Sequence, residues 1–329
     1  MKPNGKKVIS FIVTTAALFI LFLYAVNTGS LKVTPMQLFR GLFIKYDPDV
    51  ATVYDLRFPR IFAAMLGGAA TAVSGVLLQA VMKNPLADPG IIGISSGASL
   101  VAVLIAAFVP SLYFYTPVFA FAGGMAAFFL VYSLSWKGGL SPLRIILVGV
   151  AVNAMFTGLM SAFNSGTGSN YSGVASIVNA NITMKTWNDL QILLVYTVIG
   201  LTACVFVMEQ CNLLALEDKT ARSIGVNVTR TRIIVSVIAV LLASISTAVT
   251  GPISFLGLIV PHIARILVGS NHKILVPYSV LLGAFMLLLA DTIGRTIASP
   301  YEISVSVVMS VIGGPFFIVL LRRSKNNYG

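Results

Sequence analysis

The chain has 329 residues, 57% of them apolar and only 10% charged, with a formal net charge of +12. A soluble domain carries about 25% charged residues, so this composition excludes an ordinary cytosolic enzyme or binding module. Apolar runs of about 20 residues recur along the chain, the length a helix needs to cross a bilayer. The short alternating strands of a membrane barrel are not seen. The sequence predicts an all-α integral membrane protein, a single unit over 1–329 embedded in a lipid bilayer.

Lys2, Lys6 and Lys7 precede an apolar stretch from Val8 to Val26. It is long for the apolar part of a signal peptide and no good A-x-A site follows, so a retained first span is expected. The pattern predicts about ten spans, near 8–26, 60–81, 91–109, 115–135, 144–163, 189–208, 233–250, 256–270, 274–292 and 304–321. The eighth is short and carries Pro261. An even number puts both termini on one side. With the termini in the cytoplasm, fifteen of the 22 basic residues fall inside, the asymmetry that sets topology. The positive charge therefore reads as basic cytoplasmic loops of a multi-pass cell-membrane protein, and not as a surface for nucleic acid.

Two outer loops are long, Asn27–Pro59 and Asn164–Asn188. Cys204 and Cys211 are expected to be small apolar packing residues, not a disulfide or a metal pair. Thr71-Ala72-Val73-Ser74-Gly75 is echoed 176 residues later by Thr247-Ala248-Val249-Thr250-Gly251, and at the same offset Pro85 meets Pro261 and Gly93 meets Gly269. The copies lie five spans apart, so they face opposite ways. The halves run over about 1–163 and 189–323. Inverted repeats with Pro- and Gly-broken helices mark transporters, with the breaks near the path.

Enzyme chemistry has no foothold in the motifs. Two histidines, His262 and His272, and no clustered ligands exclude an evident metal centre. No G-x-x-x-x-G-K-[ST] is present, so ATP is not bound by a P-loop. Asp291 and Arg295 are spaced i,i+4 and read as a structural ion pair. No chain of ionisable groups crosses the spans, which weighs against an ion-coupled transporter. Asn84–Ala98 reads NPLADPGIIGISSGA: its prolines forbid a continuous helix and its glycines permit unusual backbone. It is either a tight turn between spans or a re-entrant stretch that shapes a gate. The polar island Cys211–Arg232 reads as a cytoplasmic helix from Leu213 to Ile224, stopped by Gly225. It either lies in the headgroups or docks a soluble partner.

In order and spacing, LRFPR at 56–60, NPLADPGIIGISSGA, LLALEDKTARSIGV, GPISFLGLIVPHIARILVG, LLLADTIGRT and PFFIVLLRR resemble the membrane permeases of ABC importers for iron–siderophores, haem and vitamin B12. The resemblance covers Asp55 to Arg323. It implies a ten-helix permease that is not itself catalytic, paired with a second permease subunit. It also implies two cytoplasmic ATPase subunits that hold ATP and Mg, and an extracytoplasmic substrate-binding protein. No cofactor or metal is implied for this chain. Carried over by motif, Leu213, Leu214, Ala215, Glu217, Ala221, Arg222, Ser223 and Gly225 match the segment that couples to the ATPase. Arg57, Arg60 and Arg295 match outward cations that receive carboxylates of the binding protein. Asn84, Pro85, Ser141, Pro142, Leu143 and Asn153 match path or gate positions.

The chain departs from the family in three places. Ile177–Ile182 replaces a Trp-x-x-Gly-Ser pattern, Glu302-Ile303-Ser304-Val305-Ser306 replaces Glu-Leu-Pro-Val-Gly, and Glu217 stands where glycine is usual. Ferric siderophore is the expected cargo because that branch is the largest, with haem and cobalamin as alternatives. An ion-coupled secondary transporter is the alternative from another class.

Overall fold

The computed structural model describes residues 3–29, 32–135, 142–166, 177–178, 180–299 and 301–324. The first half contains α1 (Pro3–Asn27), two short outer helices α2 (Pro35–Phe43) and α3 (Pro48–Leu56), then α4 (Phe58–Met82), α5 (Ile94–Phe108), α6 (Thr116–Ser135) and α7 (Pro142–Gly166). The second contains α8 (Trp187–Leu214), the small α9 (Asp218–Ser223), α10 (Val228–Thr250), α11 (Leu256–Val268), α12 (His272–Thr296) and α13 (Val305–Ser324). Among the described residues, seven helices are long and apolar enough to cross a membrane, and α5, α11 and α13 are shorter apolar helices. Together they account for each predicted span. Cys204 and Cys211 are buried and unpaired with each other.

The repeat is visible in the packing. Pairing α4 with α10, α5 with α11, α6 with α12 and α7 with α13, the neighbour relations among these helices recur between the halves. The α4–α12 contact mirrors α10–α6, α5–α6 mirrors α11–α12, α4–α11 mirrors α10–α5, and α6–α7 mirrors α12–α13. The sequence echo does not share this register. Gly75 lies within α4, whereas Gly251 caps α10 with φ +78°. Pro85 is in a connection and Pro261 is inside α11. The echo reflects similar demands for small residues and breaks, not superposable positions.

Helices in lipid gain little from apolar burial alone, so close backbone approach carries their association. An added Cβ on Gly68 would lie 2.2 Å from Gly283 O, one on Gly75 2.0 Å from Gly257 O, and one on Gly97 2.7 Å from Gly123 O. These three contacts set α4 on α12, α4 on α11, and α5 on α6. The segment containing α4 is the most enclosed of the long apolar ones, with 83% of its apolar window buried.

Two helices stop short. α5 has 15 residues and α11 has 13, about 20 Å of rise each against a hydrocarbon core of about 30 Å. Each starts after a left-handed residue, Gly93 at φ +86° and Phe255 at φ +65°. Irregular backbone at that depth persists only where the protein itself satisfies it. Pro261 removes the donor that Gly257 O would have within α11. Gln79 of α4, 4% exposed, replaces it: its Nε2 donates to Gly257 O and to Ala87 O, both at 3.2 Å. Arg265 Nη1 donates in turn to Gln79 Oε1. One amide thus joins the breaks of both halves. The 84–93 stretch is therefore tied to α4 and α11 through Gln79.

Two outcomes follow for folded yield and melting in detergent. Gly75→Val must separate α4 from α11 and should cost about 1–3 kcal/mol or more, whereas Gly158→Ala, which meets nothing within 4 Å, should be neutral. Gln79→Leu should cost about 1–3 kcal/mol per stranded carbonyl. Pro261→Ala, which returns the helical donor to Gly257, should recover part of that loss. Strict additivity of the two changes would refute the bridging role.

Candidate functional site

The polar 211–232 segment is built differently from expectation. Leu213 and Leu214 end the long α8, residues 215–217 break the helix, and only Asp218–Ser223 form α9. The expected single helix from Leu213 to Ile224 is therefore two pieces. The cause is tertiary. A straight continuation would carry Ala221 away from the bundle, but Leu214 and Ala221 are both 1% exposed and belong to the same core. The break folds α9 back. Lys83, just past α4, donates to the freed Leu216 carbonyl and, at 2.9 Å, to Asp218 Oδ1. Arg232 Nη2 reaches the same oxygen at 2.9 Å. Gly225, at φ +87°, then turns the chain into α10, with open space beside it. Ala215, Glu217, Arg222 and Ser223 are exposed, as are the apolar Leu216 and Ile224. The sequence reading missed Lys83, Asp218 and Arg232 as the braces of this segment.

The 84–93 stretch is held from within. Asn84 Oδ1 accepts from Leu86 N at 2.9 Å. Asp88, fully buried, accepts from Gly90 N at 2.8 Å and Ile91 N at 3.1 Å, and its other oxygen faces Gly257 at the start of α11. Asn84 and Pro85 border a cavity of about 460 Å³ with Gln79, Lys83, His262 and Arg265. Asn153 of α7 lies elsewhere, beside Gly93 at the far end of the stretch, and Gly149 presses on the Ile91 carbonyl. Ser141 lies outside the described residues, as do the side chains of Pro142 and Leu143.

At the other end of the bundle the three expected cations do converge, but as an interlocked cluster and not as open charges. Arg60, 6% exposed, gives Nε and Nη2 to Asp291 Oδ1 at 2.9 and 2.8 Å. Its Nη1 meets both oxygens of Glu302, at 3.1 and 2.9 Å. Arg295 Nε stands 3.2 Å from Asp291 Oδ2, the i,i+4 pair the sequence predicts, close but not aligned as a hydrogen bond. Arg57 Nη1 and Arg295 Nη2 also close the end of α1 through Val26 O and Ala25 O, at 2.7 and 3.2 Å. Arg60 and Arg295 are thus buried in ion pairs where outward cations were expected, because the first turn of α4 faces α12. Burial works to raise the Glu302 carboxyl, but the Thr183 hydroxyl and the Arg60 guanidinium outweigh it and hold it below its ordinary value. No signal in the sequence joined Arg60 or Thr183 to the acidic pair, which lie more than a hundred residues away.

Half-length helices whose breaks meet inside the bundle are a pattern of membrane transport proteins. The model of the FecCD transport family matches residues 17–323. The chain belongs to that family and is a permease of an ABC importer. It is 38% identical, over 99% of both chains, to the "Probable heme-iron transport system permease protein IsdF" of Staphylococcus aureus (strain Newman). Among solved structures it is similar to one described as a metal-chelate type ABC transporter in an inward-facing conformation, with TM-score 0.79 and 30% identity over 96% of this chain and 99% of that one. It shares its fold with PsaBC from Streptococcus pneumoniae, at TM-score 0.60 and 15% identity over 87% of this chain and 95% of that one.

The braces of α9 are testable by hydrogen exchange. Lys83→Ala or Asp218→Asn should raise exchange several-fold across residues 215–227 with little change in global melting, since exposed ion pairs contribute only about 0–1 kcal/mol. The Lys83 hydrogen bond, aided by Arg232 and opposed by burial, holds the Asp218 carboxyl below its ordinary 3.8. A lowered carboxylate stabilises above its ordinary value and loses that contribution as pH falls through the lowered one. Protection of α9 beyond the intrinsic pH dependence of exchange should therefore be flat around neutrality and weaken only in acid below about 3.8.

Proposed function

We propose that this chain forms the membrane path of an ATP-driven importer for an iron chelate, with haem as the first candidate cargo. The observation that carries this reading is the full-length similarity, 38% over 99% of the chain, to the haem-iron permease relative. It shifts the preference away from ferric siderophore, which rested only on the size of that branch. Ferric siderophore is the second reading, supported by the likeness to the metal-chelate transporter.

In this reading two permease subunits line the path. The second meets the face of α7 that carries the exposed Leu147, Val150, Met155 and Leu159, with Asn153 near the path. Two ATPase subunits bind ATP and Mg in the cytoplasm and take the exposed residues of the 213–225 segment. Both termini are cytoplasmic. A substrate-binding protein docks outside over Arg57, Arg60 and Arg295 by its carboxylates. The gates are the two breaks: closure of the ATPases moves α9, and Lys83 carries that movement to α4.

Growth of a deletion strain on a single iron source tests the cargo. Loss of growth on haem, with growth on ferric siderophores kept, is the expected result. The reverse pattern would sink the haem assignment and favour the siderophore. In proteoliposomes, transport by the permease without its ATPase would refute the coupling scheme. With the ATPase present, Arg222→Glu should lower transport by roughly tenfold or more if α9 is a buried part of the interface.

A further inference from the structure

The guanidinium of Arg60 has two sides, and they differ. Nε and Nη2 are held by Asp291, whose side chain is shut off from solvent. Nη1 is held by Glu302, whose side chain is 39% exposed. Thr183 Oγ1 donates to Glu302 Oε2 at 2.7 Å and fixes that carboxylate from behind. The Glu302 side opens on a cavity of about 290 Å³ bordered by Arg60, Asn181, Thr183 and Ser304. A carboxylate arriving from outside reaches Nη1 only where Glu302 already sits. The deeper side offers no such exchange, because Asp291 has nowhere to go.

We infer that Glu302 is an internal competitor for Arg60, and that docking of a carboxylate-bearing protein surface replaces Glu302 on Nη1. This rests on the docking reading above and adds the residue that sets its strength. Arg57, Arg60 and Arg295 against Asp291 and Glu302 leave one net positive charge in the cluster. With Glu302 in place, an incoming carboxylate meets a like charge on the same arm. The exchange keeps Arg60 paired throughout, so no buried cation is left alone. It gives orientation at modest affinity, which suits a partner that must leave after delivery. The displaced Glu302 leads within three residues into α13 and stays linked by Thr183 to the segment before α8. Docking therefore releases the start of α13 from α4 and reports an occupied outer face to a membrane helix.

The test is titration of the cognate substrate-binding protein, taken from the same gene neighbourhood, onto the assembled permease–ATPase complex in nanodiscs. Glu302→Gln keeps the shape and the acceptor for Thr183 but removes the charge. It should tighten binding on the order of tenfold, the size of one like charge a few ångström away at a partly exposed site. Its salt dependence should steepen, since the partner then meets two net positive charges. Thr183→Val loosens the competitor and should tighten binding in the same direction by less. If neither variant tightens binding while Arg57→Ala weakens it, the competitor role is overturned and docking stands. If Arg57→Ala and Arg60→Ala both leave affinity unchanged, the docking reading itself is overturned. Should Glu302→Gln fail to assemble, unchanged affinity in Thr183→Val is enough to overturn the inference.

Discussion

The bundle depends on one carbonyl oxygen, that of Gly257. Pro261 denies it a helical donor, and a buried carbonyl needs another partner. The structure answers with Gln79, and that answer fixes much else. Gly75 must be bare so that α4 can come near enough for Gln79 to reach. The same amide takes up Ala87 O, so the break in the first half is tied to the break in the second. Arg265 orients the amide by occupying its oxygen. The loop between α4 and α5 thereby becomes part of the core, with Ala87 and Ile92 buried in it.

That knot lies on the helix that also carries the α9 brace and the Arg60 cluster. Lys83 is one turn beyond Gln79 and holds α9 through Asp218. Arg60, at the opposite end of α4, holds the charge cluster with Asp291 and Glu302. About 35 Å of helix, at roughly 1.5 Å per residue, separates Arg60 from Lys83 along α4. α4 touches α8, α10, α11 and α12 along its length, so it moves only with its neighbours. The braced α9 and the Arg60 cluster thus sit at the two ends of one buried rod, with the breaks close to the Lys83 end.

Local patterns carried the sequence a long way. Runs of apolar residues located each span, and the prolines and glycines of 84–98 marked a helix break. Motif order pointed to the family. The i,i+4 spacing found the Asp291–Arg295 pair. What the sequence concealed is what distance along the chain conceals. Gln79 is an unremarked polar residue near the end of an apolar span until Gly257 is beside it. Arg60 reads as an outward cation until α12 brings Asp291 to it. The 213–224 helix was drawn too long because propensity favours continuation, and only the burial of Ala221 in the shared core requires the turn at 215–217. The repeat register failed for a related reason: small residues are demanded at many crossings, so an echo of them marks similar packing, not equivalent places.

The half-length helices also bear on how the chain enters a membrane as it is made. A segment of 13 or 15 residues is shorter than the roughly 20 that a span needs to partition by itself. α11 also opens on backbone whose partner, Gln79, was synthesised well over a hundred residues earlier. α5 and α11 therefore cannot settle one at a time as they emerge. Each has to wait for a longer neighbour, α6 or α12, and go in with it as a hairpin. α4 must already be in place to receive α11. The order of synthesis, first half before second, supplies that condition.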